Sequence, residues 1–248
     1  MIMNKSLEGK VALLTGAVRR SGRDTAIKLA ADGAKIVLNC KNSKDLADGV
    51  AAEIIEKGGT AMVHLADITD EVQVDRMFAA IVNAYGGLDI LVNNAANRGH
   101  NKIVDMPFAE WKEITSIILD GGFLCTRAAV KLMTPKKWGR VIFLGGIGPH
   151  LGYKERCHVS AGKMGSVGMM HCLATELAAD GITVNVVAPG RIGGKRAPSA
   201  GEPTGIVPPV GFVGEPKDVG RTIQFLCQPE AEFITGQTIH INGGGFLT

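Results

Sequence analysis

The sequence lacks the features that would direct a chain to a membrane, to nucleic acid or to an oxidising compartment. No apolar run approaches the roughly 20 residues needed to cross a bilayer. The opening MIMNKSLEGK has no apolar stretch of the secretory kind. Positive and negative charges nearly balance, with 27 Lys and Arg against 24 Asp and Glu. The formal net charge of +3 is too small to hold a polyanion such as nucleic acid. Cys40, Cys125, Cys157, Cys172 and Cys227 are odd in number, scattered and free of any CxxC pair. Reduced thiols in a cytoplasmic protein are therefore expected, with no metal site. Linkers, internal repeats and low-complexity tracts are missing as well, so residues 1–248 are expected to form a single domain.

What is present is a regular alternation. Short runs rich in Val and Ile are each closed by Gly, Asn or Pro: KVALLTG, AKIVLNC, TAMVHLAD, LDILVNNAA, GRVIFLGG, ITVNVVAPG and GQTIHINGG. Helical patterns lie between them. Near-continuous apolar strands imply a sheet buried on both faces, hence parallel. The expected fold is α/β, a doubly wound Rossmann domain with a seven-stranded parallel sheet and helices on both faces. One segment is irregular. Residues 190–216, rich in Gly and Pro, read as a long loop, which in such a sheet usually serves the substrate.

Ligands of doubly wound sheets bind beyond the carboxyl ends of the strands. That rule aligns Gly16 to Gly22, Asp67, Asn94, Gly145 and Gly190 along one rim. TGAVRRSGR, Thr15 to Arg23, follows the first strand and opens a helix. Such a turn presents backbone N–H groups and a helix N-terminus to a pyrophosphate. The second strand ends Asn39, Cys40, Lys41, without the acid that would hold the ribose 2′-hydroxyl of NAD. Arg19, Arg20 and Lys41 instead place cations where a 2′-phosphate would lie, which favours NADP(H).

Together these segments resemble the short-chain dehydrogenase/reductase family over essentially the whole chain, and the 3-oxoacyl-ACP reductases within it. TGAVRRSG stands for the family's TGxxxGxG, and Ala66–Asp67 follow the third strand. NNAA at Asn93 to Ala96 stands for NNAG. Lys163 lies in SAGK, and VNVVAPG and ITGQTIHINGG follow in order. The resemblance implies that Gly16 and Gly22, with Ser21 between them, line the pyrophosphate. Asp67 and Ile68 would hold the adenine, and Asn39 would stand at the ribose. Asn94 and Ala95 would pass beneath the ribose, and Lys163 would hold the nicotinamide ribose. Pro189, Gly190 and Ile192 would flank the nicotinamide. Arg20 occupies the middle glycine of the motif, as an arginine does in the family's pteridine reductases.

The resemblance also exposes what is missing at the reacting end. The family works with a serine, a tyrosine, a lysine and an asparagine. Aligned by spacing, this chain keeps Lys163 and has Gly146, Val159 and Ile118 at the other three seats. None of those three side chains moves a proton. Two readings stay open: a reductase with relocated polar groups, or a dinucleotide-binding pseudoenzyme acting as a sensor or structural subunit. Relocated groups would come from the loop GPHLGYKERCH, which holds His150, Tyr153, Arg156 and His158. Tyr153 and His158 are the leading candidates. Asp120 is a third, because ILDG at Ile118 to Gly121 resembles VLNG around the functional asparagine of 2,4-dienoyl-CoA reductases. The replacement tyrosine of those enzymes falls near Gly148 here, so their substrate is not carried over. Gly194 replaces a threonine that would reach the nicotinamide carboxamide. The expectation is an NADP(H)-dependent reductase of a small carbonyl, enone or imine. Its helices at about 108–133 and 156–179, with the last strand, are expected to assemble a homotetramer, as in similar reductases.

Overall fold

A computed structural model describes residues 5–193 and 207–248. Gly194 and the middle of the 190–216 segment lie outside the described residues. The seven apolar runs form seven strands: β1 (Val11–Thr15), β2 (Lys35–Cys40), β3 (Thr60–Leu65), β4 (Ile90–Asn93), β5 (Gly139–Leu144), β6 (Ile182–Pro189) and β7 (Thr238–Ile241). They pair in parallel in the order β3-β2-β1-β4-β5-β6-β7. The central strands β1, β4 and β5 are buried along their whole length, which explains why their sequences do not alternate.

Two apolar layers sandwich the sheet. On one face α1 (Arg20–Ala31), α2 (Lys44–Glu56) and, nearer the chain end, α8 (Pro216–Leu226) bury Leu29, Ile54 and Ile223 with alternate strand residues such as Leu14 and Val92. On the other face lie α3 (Glu71–Tyr85), α4 (Phe108–Ile118), α5 (Asp120–Met133) and α7 (Cys157–Leu177). Their Met77, Cys125 and Met170 pack on Leu91 and Phe143. A short helix, α6 (Gly148–Leu151), follows β5.

The helix expected over about 108–133 is two helices. Leu119, at φ −90° and ψ −60°, separates α4 from α5. Gly121 and Gly122 follow at once; both hold a helix weakly, and glycine pairs are where helices kink. Gly121 is also pressed against Ile68: a Cβ there would lie 2.6 Å from Ile68 Cδ1. The chain winds one way from β1 to β3 and the other way from β4 onward. A crevice therefore opens at the carboxyl ends of β1 and β4, the topological switch point of the sheet.

Candidate functional site

Backbone contacts build the crevice. Gly16 leaves β1 at φ +61°, and its N–H donates to the Asn39 carbonyl at 2.8 Å. A Cβ at Gly16 would stand 2.9 Å from Ala95 Cα, so the turn after β1 and the loop after β4 touch main chain to main chain. Thr15 Oγ1 accepts the N–H groups of Asn94 and Ala95, both at 3.1 Å. Asn94 Nδ2 returns two bonds, to the carbonyls of Thr15 at 2.9 Å and Gly16 at 3.0 Å. Asn94 therefore acts as the clamp that shapes the turn. Gly22 is confined from both sides, for a Cβ there would lie 2.8 Å from Ala17 Cα and 2.9 Å from Asn94 Nδ2. The first turn of α1 carries no acid, which leaves its positive dipole end facing the crevice without a competing anion.

The cations divide in a way the linear pattern did not show. Arg19 is exposed at the N-cap of α1. Arg20 starts the helix at φ +49°, a conformation costing a side-chain-bearing residue ~1–2 kcal/mol. Its Nη2 spans the crevice to the carbonyls of Ile192 at 2.6 Å and Gly193 at 2.9 Å. The carbonyl of Ser21 accepts from Thr25 Oγ1 at 2.7 Å. Lys41 is exposed and pairs with Asp67 at 2.6 Å. Burial raises the Asp67 carboxyl, but hydrogen bonds from Lys41 and Thr69 outweigh it and hold the group below its ordinary value. The Asn39 side chain turns away from the rim: it is buried and donates to the carbonyls of Ala66 at 3.1 Å and His64 at 3.4 Å. Ile68 is buried against Gly121.

Lys163 lies beneath the rim. It is buried, and its Nζ donates to the Leu144 carbonyl at the end of β5. Burial, with Arg98 adding repulsion, pushes its ammonium down to about 7. A cavity of about 10 Å³ adjoins it, lined among others by Thr15, Asn93, Ala95, Ile118 and Leu144. Of the seats of the absent polar groups, Ile118 lines this cavity. Gly146 faces open space, since a Cβ there would meet nothing nearer than Pro189 O at 3.9 Å. Val159 is half-buried. Ile118 is buried against Gly162. Beyond them, the Pro189 carbonyl accepts from Ile147 N at 3.1 Å, and Gly190 N donates to Ile241 O at 2.8 Å.

The loop candidates separate. Tyr153 is half-buried with its ring over Gly148, whose added Cβ would lie 2.8 Å from the ring. His150 turns toward the chain end, 4.9 Å from the His240 ring and 5.0 Å from that of Phe246. The Arg156 guanidinium meets the His100 imidazole. His158 is fully buried, with Nε2 at 3.1 Å from Glu110 Oε1 on α4 and, among the described residues, no hydrogen-bond partner for its buried Nδ1. The structure does not bring Asp120 to the cavity. It is exposed at the start of α5, and Ile117, Ile118 and Gly122 line the cavity on that side. Glu110 and Thr15 were not singled out from the sequence. Glu110 stands 48 residues before His158 with no spacing to mark it.

A family model described as enoyl-(acyl carrier protein) reductase matches residues 16–245. The chain belongs to the short-chain dehydrogenase/reductase family. Among its relatives, a 3-oxoacyl-(acyl-carrier-protein) reductase of Synechocystis sp. is 38% identical over 241 residues, covering 96% of this chain and 98% of the relative. The 3-oxoacyl-(acyl-carrier-protein) reductase FabG of Staphylococcus aureus (strain Mu50) is 35% identical, covering 96% of this chain and 98% of its own. That of Escherichia coli K12 is 35% identical, covering 98% and 99%. Membership of an oxidoreductase family, spanning nearly the full length, matches the crevice geometry of this short-chain reductase relative. Among the described residues no helix is long and apolar enough to cross a membrane.

Proposed function

We propose that this chain is an NADP(H)-dependent oxidoreductase of the short-chain type, reducing a small carbonyl, enone or imine. One observation carries the reading: Lys163, buried with Nζ on the Leu144 carbonyl, shares a cavity with Thr15 at the end of β1 and Ala95 of the loop after β4, which Asn94 clamps together. A lysine seldom accepts such burial without a task. The residues fit the dinucleotide. Gly16 and Gly22 bring backbone close where a phosphate would approach. The N-terminus of α1 faces it, and Gly146 leaves room at the nicotinamide end. Bound NADPH would supply the hydride.

The protein's own part is positioning and proton control. Gly16, Ser21 and Gly22 would hold the pyrophosphate, Asp67 and Ile68 the adenine, and Ala95 the ribose. Pro189, Gly190 and Ile192 would form the wall at the nicotinamide. Lys163 lines the cavity and would serve as an acid there, since an ammonium near 7 is suited to yield a proton at neutral pH. Tyr153 and His158 remain the loop candidates. The carbonyl class agrees with relatives named as 3-oxoacyl reductases, and residues 190–216 are proposed to serve the substrate. Exposed Phe108, Phe123 and Met164 on α4, α5 and α7 supply an apolar surface for a homotetramer, to be read by sedimentation equilibrium, where a monomer would count against it.

A turnover screen with NADPH against ketones, enones and imines tests the reading. Tyr153→Phe and His158→Ala are assayed beside the wild type at matched NADPH occupancy, with melting temperatures recorded. A loop donor predicts a loss of ~10²–10⁴-fold in one of them. A loss below tenfold in both leaves Lys163 as the acid. Cofactor binding with no turnover on any substrate favours the pseudoenzyme reading, which rests on Gly146, Val159 and Ile118. Cofactor preference rests on Arg19 and Lys41, since Nη2 of Arg20 is engaged with the loop after β6. Lys41→Asp is expected to weaken NADPH binding about tenfold or more and to spare NADH. Calorimetry showing that the wild type binds NADH more tightly would overturn the NADP assignment.

A further inference from the structure

Arg20 occupies a position where a glycine would be at ease, and its side chain is directed across the crevice. Its backbone sits at φ +49°, yet its two bonds to Ile192 and Gly193 join residues more than 170 positions apart. Both hydrogens of one guanidinium nitrogen are committed, each to the carbonyl of an adjacent residue.

The segment it grips is stitched from the other side. Gly190 N donates to Ile241 O at 2.8 Å, Gly193 N to Gly214 O at 2.7 Å, and Gly214 N to Arg191 O at 3.1 Å. Ile192 forms a parallel bridge with Gly214. Glu215 then caps α8 through a reciprocal pair with Asp218. Residues 191–193 are thus a short ribbon held by Gly214 and by Arg20.

We infer that Arg20 is a positioning residue, a strut that fixes the ribbon after β6 against the turn after β1. It is not a 2′-phosphate ligand. The inference rests on the reading that a dinucleotide spans this rim, with its pyrophosphate at the turn and its nicotinamide at the ribbon. A ligand touching both ends profits from two walls held in advance at the right separation, because binding then orders less of the protein. A ligand touching the turn alone gains nothing from the ribbon.

That asymmetry supplies the experiment. Arg20→Met removes the donors. Arg20→Gly does so with a residue at ease at positive φ, and it keeps the test open if the methionine variant folds poorly. Calorimetry compares NADPH with 2′-phospho-ADP-ribose, which has no nicotinamide. The expected result is an NADPH affinity lowered about tenfold or more, from the loss of charge-assisted bonds, with the fragment and the NADPH-to-NADH ratio each changed less than about threefold. Hydrogen exchange on the nucleotide-free protein gives a second reading: the Gly193 and Gly214 amides should exchange about tenfold faster or more in both variants, since opening the ribbon no longer breaks the arginine bonds. Parallel loss of NADPH and fragment affinity would show that Arg20 touches phosphate and would overturn the strut. Unchanged exchange at Gly193 and Gly214 would overturn it as well. Wild-type protein that binds neither ligand refutes the dinucleotide reading, while the exchange result still decides whether Arg20 braces the ribbon.

Discussion

Lys163→Met should abolish turnover and raise the stability of the nucleotide-free protein at pH 6–7. The first effect follows from losing the proton-bearing group at the cavity, an expected ~10²–10⁴-fold in rate. The second follows from the cost of burying an ammonium. The amine titrates at about 7 in the folded chain against 10.5 as its ordinary value. Below about 7 it is charged in both states, and the burial penalty stands in full. Between the two values the unfolded chain binds more protons than the folded one, so wild-type stability rises with pH across that window. Above 10.5 the amine is neutral in both states and the penalty is gone. The penalty is on the order of 5 kcal/mol at its fullest. Methionine fills similar space but leaves the Leu144 carbonyl without its donor, which takes back ~1–3 kcal/mol. A net gain of about 2–4 kcal/mol is expected at pH 6, worth several degrees in melting temperature for a chain of this length. The gain should shrink and then reverse toward pH 10.5. Urea unfolding of both proteins at several pH values reads this directly. A variant less stable at pH 6, with the same pH slope as the wild type, would show that Lys163 is not buried as a strained cation.

Gly22→Val is expected to remove dinucleotide binding, with affinity for NADPH falling ~100-fold or more. The clash is with backbone: a Cβ at Gly22 lies 2.8 Å from Ala17 Cα and 2.9 Å from Asn94 Nδ2. Either α1 lifts from the turn or the Asn94 amide leaves the carbonyls of Thr15 and Gly16. Both outcomes spoil the cradle, and overpacking with a broken buried hydrogen bond costs ~2–4 kcal/mol of stability. Calorimetry with NADPH and urea unfolding measure the two losses. A Gly22→Val protein that binds NADPH within threefold of the wild type would show that the ligand does not use this turn.

The physical reach of each signal explains how much of this was legible beforehand. The strands were legible because burial on both faces demands continuous apolar runs, and the turns because Gly, Asn and Pro break them; both are local requirements. The seven runs therefore appear as β1 to β7. The break at Leu119 between α4 and α5 was missed, since Gly121 and Gly122 weaken a helix without saying where it will part. In the crevice, Gly16, Gly22 and Asn94 could be placed by position along the rim, because the ends of β1 and β4 meet wherever this topology forms; Lys163, on α7, was placed by the family resemblance.

Side-chain direction was decided elsewhere. Arg20 reads as one of a run of cations, but whether its guanidinium faces solvent, a phosphate or a carbonyl depends on Ile192 and Gly193, which only the folded chain brings near. Asn39 is the penultimate residue of β2, near the rim, yet the pleat turns its amide to the carbonyls of His64 and Ala66. His158 is one residue from a half-buried position, and the 100° step of the helix commits it to Glu110. Asp120 follows the Leu119 break and lies exposed outside the cavity. Apolar pattern and turn chemistry act over a few residues, so the seven strands, their doubly wound parallel arrangement and the rim at their carboxyl ends were legible in the sequence, while the order of the strands was not. The tertiary structure alone decided which polar groups face that rim, because a hydrogen bond is set by distances between atoms whose separation along the chain carries no signal.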